Sequence, residues 1–366
     1  MAKFRVAVIG STGRGDYGHG LDAVWKSFDD CEVVGVADPV ESGRGKAQER
    51  TGAATAWADY REMLEKLRPQ VVAVCPRWVD QHRDMVLACA EYGCHMYLEK
   101  PLCRTLGEAD EMLRACEMRH LKTAVAHISR WSPQLDVVRR LIQDGRIGDL
   151  LEIRARGKED GRGGAEDLWV LGTHVLDLMR AIAGDPESCF ATLTQAGRPV
   201  GPGDVRDGNE GLGPLAGDRV EALFRFRGGA TGHFSSKKSA GGSPSRFGIR
   251  IHGTKGVIEI SSGYGNPAFL LEDPHWSGRA GGGWKTITSA GVDKPETLTA
   301  TGYEGGNPAA ARDLLSCIDT DRQPKCTFRE ARGAIELVLA TFESHVRGTP
   351  VALPLDAKDN PLTRLR

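Results

Sequence analysis

The chain has almost no net charge: 48 Lys plus Arg stand against 49 Asp plus Glu, a formal balance of -1. Without a basic field there is nothing to draw in a phosphate backbone or an anionic lipid surface, which excludes nucleic acid and membrane as expected partners. Long apolar runs are missing too, since no segment approaches the ~20 uninterrupted apolar residues of a membrane-crossing helix. No signal-peptide pattern stands ahead of the first apolar run. Met1-Ala2-Lys3 leads straight into Val6-Ala7-Val8-Ile9, already strand-like, so a cytoplasmic setting is expected. The nine cysteines are odd in number and form no C-x-x-C pair, which argues against a disulfide framework or a structural zinc site and leaves reduced core thiols. The ten histidines form no metal-ligand pattern, and no metal is expected.

What is present is a chain of 366 residues, 40% apolar and 27% charged, enough for two domains at roughly 150 residues each. Glycine is over-represented at 46 residues, against a usual share of about 7%. From residue 3 to 126 short apolar runs (5–9, 31–37, 70–75, 94–98 and 122–126) alternate with amphipathic stretches around 20–28, 43–51, 58–67, 79–92 and 105–119. Strands separated by helices of that size predict an α/β fold, a doubly wound parallel sheet over residues 1–126. Beyond about 150 the pattern changes to paired strands. Residues 219–226 and 231–237 flank Gly228-Gly229, and 247–252 and 256–260 flank Thr254-Lys255. These hairpin signals predict a second domain, 127–366, with an open and mostly antiparallel sheet, closed by helices over 308–320 and 329–347.

After the first strand comes Gly10-Ser11-Thr12-Gly13-Arg14-Gly15-Asp16-Tyr17-Gly18. A literal G-x-G-x-x-G lies at Gly13, Gly15 and Gly18, but the tight turn must begin where the strand stops. The dinucleotide fingerprint is therefore placed at Gly10, Thr12 and Gly15, with Gly13 providing the close backbone approach that Thr12 hinders. The expected physics is a set of free N–H groups at a helix N-terminus holding the pyrophosphate. A glycine-rich strand-to-helix turn with no ligand has the same spacing. Asp38, at the end of the second strand, stands where a carboxylate accepts from the adenosine ribose and repels a 2'-phosphate, which predicts NAD as cofactor. Arg44 nearby keeps NADP possible.

A later strand runs into Glu99-Lys100-Pro101. At the carboxyl edge of a parallel sheet, adjacent opposite charges are either a surface ion pair or part of a site, where the ammonium stabilises a developing alkoxide. Glu99-Lys100-Pro101, Cys75-Pro76 with His82, and Gly93-Cys94-His95 resemble the glucose–fructose oxidoreductase, inositol dehydrogenase and MocA family. So do Gly163-Gly164, His174-Val175-Leu176-Asp177 and the segments 307–314 and 340–348. The resemblance implies a Rossmann domain joined to a C-terminal α/β domain and a homodimer or homotetramer built through the C-terminal sheet. It also implies NAD(P)-dependent chemistry on a sugar, sugar derivative or cyclitol. Lys100 and His174 map to the family's catalytic lysine and histidine, and Pro76, Trp78, His82, Glu99 and Lys100 to the cofactor side.

One departure stands out. The family often carries an Asp four residues before the histidine, and that position here is Val170. Glu166, Asp167 or a network around Lys100 is the expected substitute. The segment 154–167, dense in charge and glycine, is either a solvated loop or a wall of the substrate site contributing Lys158, Arg162 and Glu166. Trp169 and Trp131 suit sugar stacking or plain packing, and His127 and Arg130 resemble substrate-side positions. The leading expectation is an NAD-dependent dehydrogenase. A redox-neutral glycoside-cleaving enzyme, passing through a 3-keto intermediate and using Glu166 or Asp167 as a further acid or base, is the alternative. A non-catalytic dinucleotide-binding regulator is a third.

Overall fold

Six short, mostly apolar runs build the first sheet, and all but the edge run Thr55–Trp57 are largely buried, as a parallel sheet covered on both faces demands. They are β1 (Phe4–Ile9), β2 (Cys31–Ala37), β3 (Thr55–Trp57), β4 (Val71–Val74), β5 (His95–Leu98) and β6 (Thr123–Val125), ordered 3-2-1-4-5-6 and all parallel. Helices α1 (Glu41–Thr51), α2 (Tyr60–Leu67), α3 (His82–Glu91) and α4 (Leu106–Glu117) form crossovers. The computed structural model describes residues 3–279 and 282–366. Met1, Ala2 and two residues of the glycine-rich stretch 278–283, Ala280 and Gly281, lie outside the described residues. Among the described residues no helix is long and apolar enough to cross a membrane.

The chain divides into two compact units, and the division is discontinuous. Residues 1–127, 209–212 and 307–332 form the first, and 128–208, 213–306 and 333–366 the second. The expected boundary at 126/127 is thus followed by further crossings. In the first unit, the backbone N–H of Val125 in β6 donates to Cys326 O at 2.9 Å, so the edge of the sheet is covered by a segment from near the end of the chain.

The helix expected over 20–28 is absent. Residues 11–23 run as turns, and only a 3-10 segment, Val24–Ser27, follows. Gly18 and Gly20 adopt positive φ (61° and 85°) and Asp16 does so too (52°), each of which breaks helical propagation. The apolar spacing that suggested a helix belongs to side chains that pack instead. Leu21 and Trp25 are fully buried, and Trp25 meets Tyr97 of β5 edge-on at 6.4 Å.

Among the described residues, the second unit holds α5 (Pro133–Gln143) and an 11-stranded mixed sheet. β7 (Leu150–Arg156) runs parallel to Thr231–Lys237, and both predicted hairpins form, Arg219–Phe226 with Thr231–Lys237 and Gly248–Gly253 with Gly256–Ser261. Burial alternates along Arg219–Phe226, so one face is inward and the other open. On the inward side lie α6 (Ala165–Val170) and α7 (Gly172–Ala183), interrupted at Leu171. Trp169 stacks on Phe342 of the closing helix Phe328–Arg347 with ring centroids 6.0 Å apart and planes 7° apart. Its ring is 1% exposed and belongs to the core, not to a sugar platform. All nine cysteines are free and buried, and burial pushes the Cys94 thiol up to about 12.

Trp169→Ala should therefore cost about 3–5 kcal/mol of unfolding free energy in a urea titration, while Trp169→Phe costs visibly less. Equal losses would contradict the stacked packing.

Candidate active site

In the first unit the carboxyl ends of β1, β2, β4 and β5 bring together Gly10, Thr12, Gly13, Gly15, Asp38, Pro76, Glu99 and Lys100. The loop after β1 needs its glycines for close approach. A Cβ on Gly10 would lie 2.2 Å from the Tyr17 ring, and one on Gly15 would lie 2.3 Å from the Arg77 nitrogen. The loop curls on itself. Ser11 bridges Asp16, the Gly13 N–H donates to Asp16 Oδ1 at 2.9 Å, and the Arg14 N–H donates to Ser11 O at 2.9 Å. The expected row of free donors at a helix N-terminus is thus replaced by a self-bonded turn. At Gly13, with φ +79°, nothing lies within 4 Å of where a Cβ would stand, so the loop is open there although its N–H is given to Asp16.

Asp38 is fully buried and already accepts from Thr12 N–H (3.1 Å), Thr12 Oγ1 (2.7 Å) and Val40 N–H (2.9 Å). Thr12, standing where the fingerprint has its second glycine, therefore turns toward β2 and buttresses Asp38. The Thr12 N–H also reaches Oδ1 at 3.3 Å, so four contacts already fall on the carboxylate's about four lone-pair sites, and a ribose hydroxyl would have to share or displace one of them. Arg44 Nη1 donates to the Asp38 carbonyl at 2.7 Å.

At the far side of the switch point, His82 has both ring nitrogens on carbonyl oxygens, Pro76 O at 2.6 Å and Pro101 O at 2.9 Å. It staples the turn after β4 to the turn after β5, shaping the site without offering a group to a ligand. The Lys100-Pro101 peptide is cis. Trp78 carries the Arg14 guanidinium over its ring at 4.4 Å. Glu99 and Lys100 are both buried, with Nζ 4.0 Å from Oε1, and His19 Nδ1 lies 2.8 Å from the same oxygen. Burial works to raise the Glu99 carboxyl, but the His19 hydrogen bond, its charge and that of Lys100 prevail and hold it below the usual carboxylate range. His19 escaped sequence reasoning because its segment reads as a helix.

In the second unit the charged loop after β7 is built, not loose. Asp160 takes Arg162 Nη2 at 2.7 Å and Lys158 Nζ at 3.8 Å. Asp167 is fully buried and accepts from Ser236 Oγ (2.5 Å), Glu159 N–H (3.0 Å) and Lys158 N–H (3.2 Å). Burial raises its carboxyl while these three donors pull it down. Asp167 anchors the loop, so it cannot replace the missing relay carboxylate without releasing these donors. The Gly163-Gly164 pair is required by backbone contact. A Cβ would fall 2.3 Å from Lys238 Cα at the first and 2.5 Å from Gly217 O at the second. Glu166 is buried with Oε2 3.7 Å from Arg206.

His174 lies buried in the first turn of α7, edge-on to Phe247 at 6.3 Å. The break at Leu171 separates it from Val170, so the i, i+4 face on which a relay carboxylate would stand is not continuous. Arg130, expected on the substrate side, forms a buried bidentate pair with Asp177 at 2.7 Å for each contact. Trp131 is 5% exposed and packed. His127, in the first unit, lies buried with Nδ1 3.8 Å from Cys326 Sγ.

Comparison with known proteins agrees with this architecture. The description "Oxidoreductase family, NAD-binding Rossmann fold" matches residues 4–127, and "Oxidoreductase family, C-terminal alpha/beta domain" matches 139–353. A levoglucosan dehydrogenase of Pseudarthrobacter phenanthrenivorans is 28% identical over 62% of this chain and 64% of its own length. A myo-inositol 2-dehydrogenase of Thermotoga maritima is 25% identical over 64% of this chain and 69% of its own. A levoglucosan dehydrogenase solved with NADH and levoglucosan superposes with a TM-score of 0.77 at 22% identity, covering 96% of this chain and 100% of that one, a likeness of fold.

Two variants test this geometry. Asp38→Asn turns an amide donor toward Thr12 or Val40 N–H, and should lower the unfolding free energy by about 1.5–3 kcal/mol as well as raise the KM for NAD. Asp177→Asn strands the Arg130 charge and should cost about 3–5 kcal/mol, largely recovered when Arg130→Met is added. Both are read by chemical denaturation.

Proposed function

The chain belongs to the Gfo/Idh/MocA oxidoreductase family, and from that premise we propose that it is an NAD-dependent dehydrogenase acting on a secondary hydroxyl of a sugar, sugar derivative or cyclitol. The observation that carries the reading is the buried ammonium of Lys100 beside Glu99 at the carboxyl edge of a Rossmann sheet. Burying an ammonium is costly unless a counter-charge accompanies it. A charge kept there at that cost serves chemistry better than it serves stability.

Bound NAD supplies the hydride acceptor. Gly13 would leave room for its phosphates, Asp38 would accept from its adenosine ribose, and Glu99 with Lys100 would border the nicotinamide. Lys100 donates to the substrate oxygen and stabilises its alkoxide character as the C–H bond breaks. His174 takes the hydroxyl proton, a task suited to imidazole as a general base. The redox-neutral alternative asks for a further acid or base, and with Asp167 committed to Ser236 and two N–H groups only Glu166 remains for it. A regulator would have no use for the buried ammonium. Nine free cysteines suit a reduced, cytoplasmic setting. The open face of the second sheet, where Phe190 is 41% exposed, is the surface assigned to homodimer or homotetramer contacts.

The test is a carbohydrate and cyclitol panel with NAD, followed at the NADH absorbance with product analysis. Stoichiometric NADH is expected, and aglycone release without it would overturn the dehydrogenase reading. Lys100→Ala should lower kcat about 10²–10³-fold and His174→Ala about 10²–10⁴-fold with NAD affinity retained. Undiminished turnover in either variant would remove that residue from its role.

A further inference from the structure

We propose that His19 is a positioning residue for the hydride transfer, holding the Glu99 carboxylate and, through it, the Lys100 ammonium. The proposal rests on the dehydrogenase reading above and adds to it a group from the loop that replaces the expected helix.

The argument begins with what a buried carboxylate needs. Glu99 is fully buried, and Lys100 Nζ at 4.0 Å from Oε1 is at ion-pair distance but beyond a hydrogen bond. The other oxygen, Oε2, makes no protein hydrogen bond. The direct bond is the one from His19 Nδ1 at 2.8 Å, and because an ionised carboxylate only accepts, Nδ1 carries the proton. That bond sets where Oε1 points, and Oε1 is the atom facing the ammonium.

His19 is itself held at both ends from the end of β5. Its carbonyl accepts from Asn307 Nδ2 at 2.9 Å, and Asn307 Oδ1 accepts from Tyr97 OH at 2.9 Å. Tyr97 lies in β5, and Glu99 follows directly after the strand, its N–H donating to Val74 O at 2.9 Å. A closed circuit results: Tyr97 to Asn307, Asn307 to the His19 backbone, the His19 ring to Glu99, and back along the chain. Tyr97 and Asn307 are buried, whereas the His19 side chain keeps 24% exposure. Gly18 makes the approach possible, since a Cβ there would stand 2.5 Å from Cys75 O and 2.9 Å from Glu99 Oε2. A loop pinned this firmly against the turn that carries Lys100 does more than connect β1 to β2.

The titratable groups facing Glu99 are His19 from the loop, Lys100 from its own turn, His82 from the start of α3 and the Cys75 thiol at the end of β4. Of these His19 is the one bonded to it. His19→Phe keeps a ring and removes the donor, whereas His19→Asn keeps an N–H close to the place of Nδ1. In the phenylalanine variant kcat should fall about tenfold or more while the KM for NAD stays within about twofold. The acid limb of kcat/KM should move to higher pH, because Glu99 loses the donor that keeps its carboxyl low. His19→Asn should restore both.

Unfolding of the protein without cofactor gives a readout independent of turnover. A lowered carboxyl contributes stability that is present above its unfolded value, about 4.3, and is lost as pH falls through its folded value. The unfolding-temperature gap between wild type and His19→Phe should therefore be open at neutral pH and close on acidification. A gap independent of pH, an unmoved acid limb or unchanged turnover would overturn the proposal. If the wild type oxidises no sugar or cyclitol, the dehydrogenase reading fails while the unfolding gap still decides whether His19 holds Glu99.

Discussion

The proposed chemistry depends on a charge pair that has been taken out of water. Glu99 and Lys100 sit adjacent at the end of a central parallel strand, each all but inaccessible, and a pair so placed survives only if its surroundings supply hydrogen bonds that solvent no longer can. Much of the first unit can be understood as that supply. The His82 staple fixes the turn on either side, the loop after β1 delivers an imidazole, and Asn307 returns from the far end of the chain to brace it.

The second unit solves a different problem, that of keeping a charged, glycine-rich segment in one conformation. Here buried carboxylates act as internal anchors. Asp167 gathers two backbone N–H groups and a hydroxyl, Asp177 grips Arg130 with both oxygens, and Glu159 is 1% exposed beneath Arg246. A charge-rich stretch is thus tied down by internal hydrogen bonds, and His174 lies in the first turn of α7 beyond it.

Five strands of the parallel sheet were legible because strands buried on both faces leave unbroken apolar runs, whereas the short, half-exposed edge strand Thr55–Trp57 leaves none; the hairpins were legible because Gly228-Gly229 and Thr254-Lys255 mark their turns. The residues proposed for catalysis come from motif alone, Glu99-Lys100-Pro101 and the histidine at 174. What failed was inference from spacing where glycine intervened. Leu21 and Trp25 have helical spacing, yet Gly18 and Gly20 at positive φ turn the segment into a loop, and His19 with it. Side chains that could equally pack or bind were undecidable in one dimension. Trp169 went to Phe342, Arg130 to Asp177 and Asp167 to Ser236, partners 173, 47 and 69 positions away in sequence, and only folding reveals such distances.

The interleaving of the two units has a consequence for biosynthesis. Translation delivers β1 to β6 early, but Asn307, which braces the loop at Glu99, and Cys326, which caps the edge of β6, leave the ribosome near the end of the chain. The nucleotide-binding unit must therefore wait, partly assembled and with a raw strand edge, for nearly the whole polypeptide to emerge. Nor can a gene fragment ending at residue 126 encode it complete, so recombination that exchanges such halves between relatives would have to carry the tail along with the head.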